Sequence, residues 1–156
     1  MLTREQFLPH EMRIVAALRM QGASDEQVIV RVKSENLFQY PTERMVANRA
    51  TVCLRRLDAM VPTDAVCAAR GIDPKTAVEA ASSLTRLMAS GTPTQADQAI
   101  FYSMICRYDI VRELVLVEVG ERLQNFDYAF TAVDLNAFMT RFTTEYPDAA
   151  RWTEAT

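Results

Sequence analysis

Helix stop and start signals recur along the whole chain at about the interval of one helix, and they leave room for little but a helical fold. Gly22 is placed to close a first helix in a left-handed cap. Ser24-Asp25-Glu26-Gln27 then reads as a capping box, in which the Ser hydroxyl accepts a free amide and the Gln side chain returns to the Ser amide. The second helix should run from Asp25 to about Glu35. Its Val28–Val32 core is β-branched and would suit a strand, but the cap decides for helix. Thr42 with Glu43 opens a third helix that reaches about Met60. Pro62 interrupts the chain, Thr63-Asp64 opens a short helix ending at Gly71, and Asp73-Pro74 opens another to about Ala89. Thr94 with Asp97 should cap the next, to about Arg107. Asp109 begins one to about Leu123, Asp134 caps one ended by Pro147, and Asp148 starts a last.

The predicted fold class is therefore all-α: one compact domain over 1–156 with about seven helices. A seam near Pro62 would part an N-terminal subdomain, 1–61, from a C-terminal bundle, 62–156. A chain of 156 residues can bury a core without metals or disulfides, since it hides roughly 70% of its unfolded surface. The core candidates follow helical spacing. Ile14, Ala17, Leu18 and Gln21 share one face, and Val46, Ala50, Cys53, Leu57 and Met60 form a seam spaced four-three-four-three. Leu37, Phe38 and Tyr40 should anchor the connector before Pro41. Ile110, Val111, Leu114, Val115, Val117 and Val119 are apolar on more than one side, as expected of a helix near a bundle centre. Phe101, Tyr102, Tyr108 and Phe126 read as core, as do the eight Met residues.

Several chemistries lack their residues. Cys53, Cys67 and Cys106 are odd in number, without paired short spacing, and His10 is the single histidine. They do not make a zinc site of the usual ligand types and spacings; buried thiols in a reducing compartment fit better. Glu118–Arg122 and Asp109–Glu113 are helix neighbours rather than carboxylates facing across a cleft, so they read as surface charges and ion pairs. No glycine-rich phosphate loop or hydrolase motif occurs. The expectation is a non-enzyme with no cofactor and no metal. No secretory leader or membrane-spanning run is visible, so the expected location is the cytoplasm.

The net charge of −3 conceals a skew. Residues 1–60 hold nine basic and seven acidic residues (+2), whereas 61–156 hold eight and thirteen (−5). Fifteen of the seventeen basic residues are Arg, and guanidinium forks onto phosphate and onto guanine. On the third helix Arg44, Asn48, Thr51, Arg55 and Asp58 lie opposite the apolar seam, with Arg49 and Arg56 on the flank. Helix, short turn, helix, connector and Arg-bearing helix together form a helix-turn-helix-like order. The candidate contacts to double-stranded DNA are Arg44, Asn48, Arg49, Arg55 and Arg56, with Arg31 and Lys33 widening the patch. A solvated polar face with internal ion pairs is the competing reading, since Glu43 and Asp58 sit in the same helix.

The run Glu11–Leu18 through Gly22-Ala23-Ser24, then Glu35-Asn36-Leu37-Phe38 and the Arg44…Arg49…Arg55-Arg56-Leu57 helix, resembles the BrxA family of bacterial BREX phage-exclusion systems. Tyr108–Leu114, the Asp134…Phe138 segment and Trp152–Thr156 are similar to it as well. The resemblance implies a small all-α protein like the antitermination factor NusB in fold, associated with phage defence and DNA binding, and without a catalytic centre. It also implies further helix beyond Trp152–Thr156. Two functions follow as expectations. One is a non-enzymatic accessory protein that binds duplex DNA weakly and salt-sensitively. The other is a scaffold that docks to other BREX proteins without touching DNA, as the acidic remainder of the chain favours.

Overall fold

The computed structural model describes residues 7–147, and all regular structure among them is helical. The elements are α1 (Pro9–Met20), α2 (Asp25–Ser34), α3 (Glu43–Asp58), α4 (Asp64–Arg70), α5 (Pro74–Ser90) and α6 (Pro93–Arg107). There follow α7 (Asp109–Arg112), a π-helical segment (Glu113–Val119), α8 (Gly120–Gln124) and α9 (Ala132–Glu145). The helix expected from Asp148, with Trp152, lies outside the described residues. By contacts the chain forms two compact units, one of Phe7–Arg107 and one that begins at Tyr108. Pro62 falls within the first.

The caps explain most boundaries. Gly22 takes φ 84° after α1, a conformation open to glycine. The Gln27 amide donates to Ser24 Oγ (3.3 Å) while the Ser24 amide donates to Gln27 Oε1 (2.8 Å), closing the expected box on α2. Thr42, Thr63 and Asp73 cap α3, α4 and α5. Two caps sit earlier than the spacing predicted. Thr92, not Thr94, pairs with Gln95 at the start of α6. Thr131, not Asp134, is the N-cap of α9, and Asp134 is its reciprocal partner three residues in.

In the unit Phe7–Arg107, α1 packs most extensively on α5, and α3 lies against α1, α2 and α6. Met12, Val15, Val28, Val32, Val46, Ala50, Cys53, Met88 and Ile100 make the centre of one core that spans both sides of Pro62. The predicted α3 seam is buried throughout, from Val46 to Met60. Gly91 ends α5 with so little space that an added Cβ would stand 2.5 Å from the Leu87 carbonyl oxygen. Its own carbonyl accepts from Arg13 Nη2 (2.9 Å).

Two charged side chains are buried with this core. Arg56 is fully buried, and its Nη1 donates to the Phe7 carbonyl (3.1 Å). Glu11, also buried, accepts a hydrogen bond from the Tyr40 hydroxyl. Tyr40 is held there by Asn36, whose side chain accepts from the Tyr40 amide (3.1 Å) and donates to its carbonyl (3.0 Å). The connector thus anchors as predicted, with Phe38 buried and edge-on to Tyr40.

The second unit has a small core: Ile110, Phe138 and Phe142, with Tyr108, Val111, Leu114 and Met139 against them. Here the apolar run was misleading. No residue of the π-helical segment is fully buried, and Leu116 and Val117 are 58% and 45% exposed. Phe126 is 80% exposed, and Phe101 and Tyr102 in the first unit are exposed too, so these three are not core as expected. Hydropathy does not say whether a partner surface is available within the chain. Arg122 organises this unit: its guanidinium reaches Glu118 (3.3 Å), Asp127 (2.9 Å) and Asp134 (2.7 Å), and it lies 5.4 Å from the Phe130 ring centre.

Two measurements check this account. Arg56→Met keeps the aliphatic stem but strands the Phe7 carbonyl, and should cost about 3 kcal/mol, seen as a fall of about 10 °C in melting temperature. An unchanged melting temperature would remove Arg56 from the core's support. The Asp134 carboxyl is held at about 2, below its ordinary 3.8, chiefly by the hydroxyl and amide of Thr131 and then by Arg122. A depressed acid stabilises the fold above its unfolded value and loses that contribution as pH falls toward its folded value. Amide protection at Thr131 and Asp134 should therefore drop between about pH 4 and 2, and Asp134→Asn should remove that transition.

Candidate nucleic-acid interface

The α3 helix is fixed at both ends by interactions that also set which way its basic residues face. At its start Thr42 Oγ1 accepts from the Met45 amide (3.3 Å). At its end Asp58 is bound by Arg19 of α1 (3.0 Å), which also pairs with Asp25 at the start of α2. Burial pushes the Asp58 carboxyl above its ordinary range, with Arg19 opposing and Asp25 adding to the shift. Between those ends Val46, Ala50, Cys53 and Leu57 are driven inward by apolar burial.

The outward stripe is as the spacing predicted in part. Arg44, Asn48 and Arg55 are exposed, and Thr51 is half-buried. Neither Arg44 nor Arg55 makes a salt bridge among the described residues. The two acids that would dilute the stripe are each held by a cation from another helix: Glu43 by Lys33 of α2 (3.3 Å) and Asp58 by Arg19. Lys33 and Arg31, expected to widen the patch, are engaged themselves. Arg31 pairs with Glu35 (3.2 Å) and donates to Gln21 Oε1 (3.2 Å).

On the flank, Arg56 lies inside and not where a phosphate contact was expected. Arg56 does not reach solvent, so it cannot meet a phosphate. Arg49 is half-buried, near enough for its charge to act on Tyr40 and on Cys53. Both residues sit three beyond a seam position, 46 and 53, which places them at the seam's edge rather than on the open face. That spacing is the signal by which Arg56 could have been placed inside. Tyr40 completes the arrangement: its hydrogen bond to Glu11, with burial and the Glu11 charge, raises the phenol above its ordinary value.

Cys53 is the one thiol beside this face. Cys53 is buried and its thiol is pushed up to about 12, chiefly by burial, with Arg56 and Arg49 pulling the other way and Glu11 adding to the rise. A thiol so far above neutrality is not a thiolate at pH 7. Among the described residues no group of three or more His, Cys, Asp or Glu side chains could hold a metal ion, and no helix is long and apolar enough to cross a membrane.

No curated protein and no solved structure matches the chain. A family model does, over its whole length: the model of BrxA matches residues 1–156. The chain belongs to the BrxA family, and so to the BREX systems of phage defence.

Proposed function

We propose that this BrxA protein is a non-enzymatic accessory component of BREX phage defence that binds duplex DNA through the outer face of α3. One observation carries the reading. The Arg44–Asn48–Arg55 stripe is exposed, while of the acids beside it Glu43 is paired with Lys33 and Asp58 shares Arg19 with Asp25. The unit that bears it is net positive, with twelve basic and ten acidic residues over Phe7–Arg107. Arg44 and Arg55 are eleven residues apart, about 16 Å along a helix axis. That spacing can bridge a major groove about 12 Å wide, with a guanidinium on each phosphate backbone and Asn48 between them at the base edges. The α1–α2–α3 order would then act as a helix-turn-helix-like unit, with α3 as the reading helix.

A scaffold role without DNA contact is the second reading, and one observation favours it. Over 108–147 the chain carries three basic and seven acidic residues, and exposes Phe126, Tyr128 and Val133 at 74% or more. Such a surface repels phosphate and fits protein partners, which membership of the family points to among the other BREX proteins.

Titration of labelled duplex at two salt concentrations separates the two. Arg44→Ala with Arg55→Ala should weaken binding about tenfold and flatten the dependence of log K on log salt by about 2, one unit per lost phosphate contact. Arg31→Ala with Lys33→Ala should change it far less. Unchanged affinity and slope in the Arg44/Arg55 variant would take α3 out of the interface. Parent protein that binds no duplex while co-purifying with BREX partners would leave the scaffold.

A further inference from the structure

The second unit contains a groove between the π-helical segment and α9. It is lined by Glu113, Val117 and Glu118 on one side and by Phe138, Arg141, Phe142 and Glu145 on the other. Its volume is about 140 Å³, below the 300–1,000 Å³ usual for small-molecule sites, and suited to one long side chain. The floor is aromatic: Phe138 and Phe142 stand 5.8 Å apart, and Tyr146 continues the column by stacking on Phe142 at 4.5 Å.

Charge selects the sign of what can enter. Glu118 is already bound by Arg122 and Arg141. Glu113 and Glu145 form no salt bridge among the described residues, so the groove has an acidic surplus. The carboxylates do not converge as a metal site would, which favours an extended cation over a bare ion. The same unit shows how it holds such a cation, since Arg122 lies among Glu118, Asp127 and Asp134 with the Phe130 ring beside it. A guanidinium on a flexible apolar stem matches carboxylates and aromatic rings together. The apolar surface continues past the groove: Val117 lines it, and its neighbour Leu116 is more exposed still. A π-helical turn of this kind often marks a functional site.

We propose that this groove binds an arginine side chain presented by a partner protein, with the guanidinium between Glu113 and Glu145 and its stem along Val117 and the Phe138–Phe142 floor. Neither DNA contact by α3 nor its absence affects the site.

The test uses the full chain and a helical peptide with one arginine on a leucine, alanine and glutamine background, beside the same peptide with citrulline at that position. Citrulline keeps the shape and removes the charge. In an NMR titration the arginine peptide should bind on the order of millimolar, as the contacts of one side chain allow. It should shift the amides of Glu113, Val117 and Glu145, while the citrulline peptide should not. Glu113→Gln with Glu145→Gln, two changes of charge at partly or fully exposed positions, should weaken the arginine peptide at least about tenfold and leave duplex binding unchanged. Shifts that map elsewhere, equal binding of the citrulline peptide, or parent-like binding by the double variant would overturn the proposal. So would self-association of the chain that the double variant abolishes, because the groove would then belong to a second copy.

Discussion

A fully buried guanidinium is the constraint on which the first unit depends. Arg56 has no access to water, and a buried cation is tolerated only where its donors find acceptors. The Phe7 carbonyl supplies one, which ties the chain entering α1 to the last turns of α3. Glu11 and Tyr40 stand in the same polar layer, and Asn36 braces Tyr40 from the connector. Successive residues on a helix are about 100° apart, and with Leu54, Arg56 and Leu57 all buried the direction left for Arg55 is toward solvent. The rotation of α3 about its own axis, and with it the exposure of Arg44 and Asn48, follows from the buried seam of Val46, Ala50, Cys53 and Leu57 together with Arg56 at its edge.

Much of this was legible in the sequence. The Ser24–Gln27 box, Thr42 and the four-three-four-three seam of α3 placed three helices and their inner faces, because caps and apolar periodicity are local signals. What was not legible depends on tertiary partners. The spacing of Arg56 from Cys53 sets it at the seam's edge, but that its charge is tolerated there depends on groups far off in sequence, the Phe7 carbonyl and Glu11 beside Cys53. The Ile110–Val119 run reads as a buried centre because hydropathy records a preference for leaving water and not whether a surface exists to receive it. Asp134 reads as an N-cap, but Thr131 sits three residues before it and takes that position, so only the boundary moved.

The charge skew needed the same revision. Divided at residue 60, it placed a basic first third on an acidic body. Divided where the contacts divide, at Arg107 and Tyr108, it becomes net +2 for Phe7–Arg107 and net −4 for 108–147. The acid is concentrated in forty residues with a small core and much exposed apolar surface. Acidic charge and exposed Phe126, Tyr128 and Val133 thus fall together in one short stretch.

Net charge alone still understates the difference, because pairing decides which charges remain to act on a partner. Along α3 both acids are paired, Glu43 with Lys33 and Asp58 with an Arg19 that it shares with Asp25, while Arg44 and Arg55 form no salt bridge among the described residues. In 108–147 the cations are the paired species. Arg112 goes to Asp109, Arg122 to Glu118, Asp127 and Asp134, and Arg141 to Glu118, leaving Glu113, Glu121 and Glu145 over. Exposed ion pairs contribute little to stability, but they alter the charge that each surface presents. They take up part of the charge on each surface, so that the cations left over lie along α3 in one unit and carboxylates left over line the groove of the other.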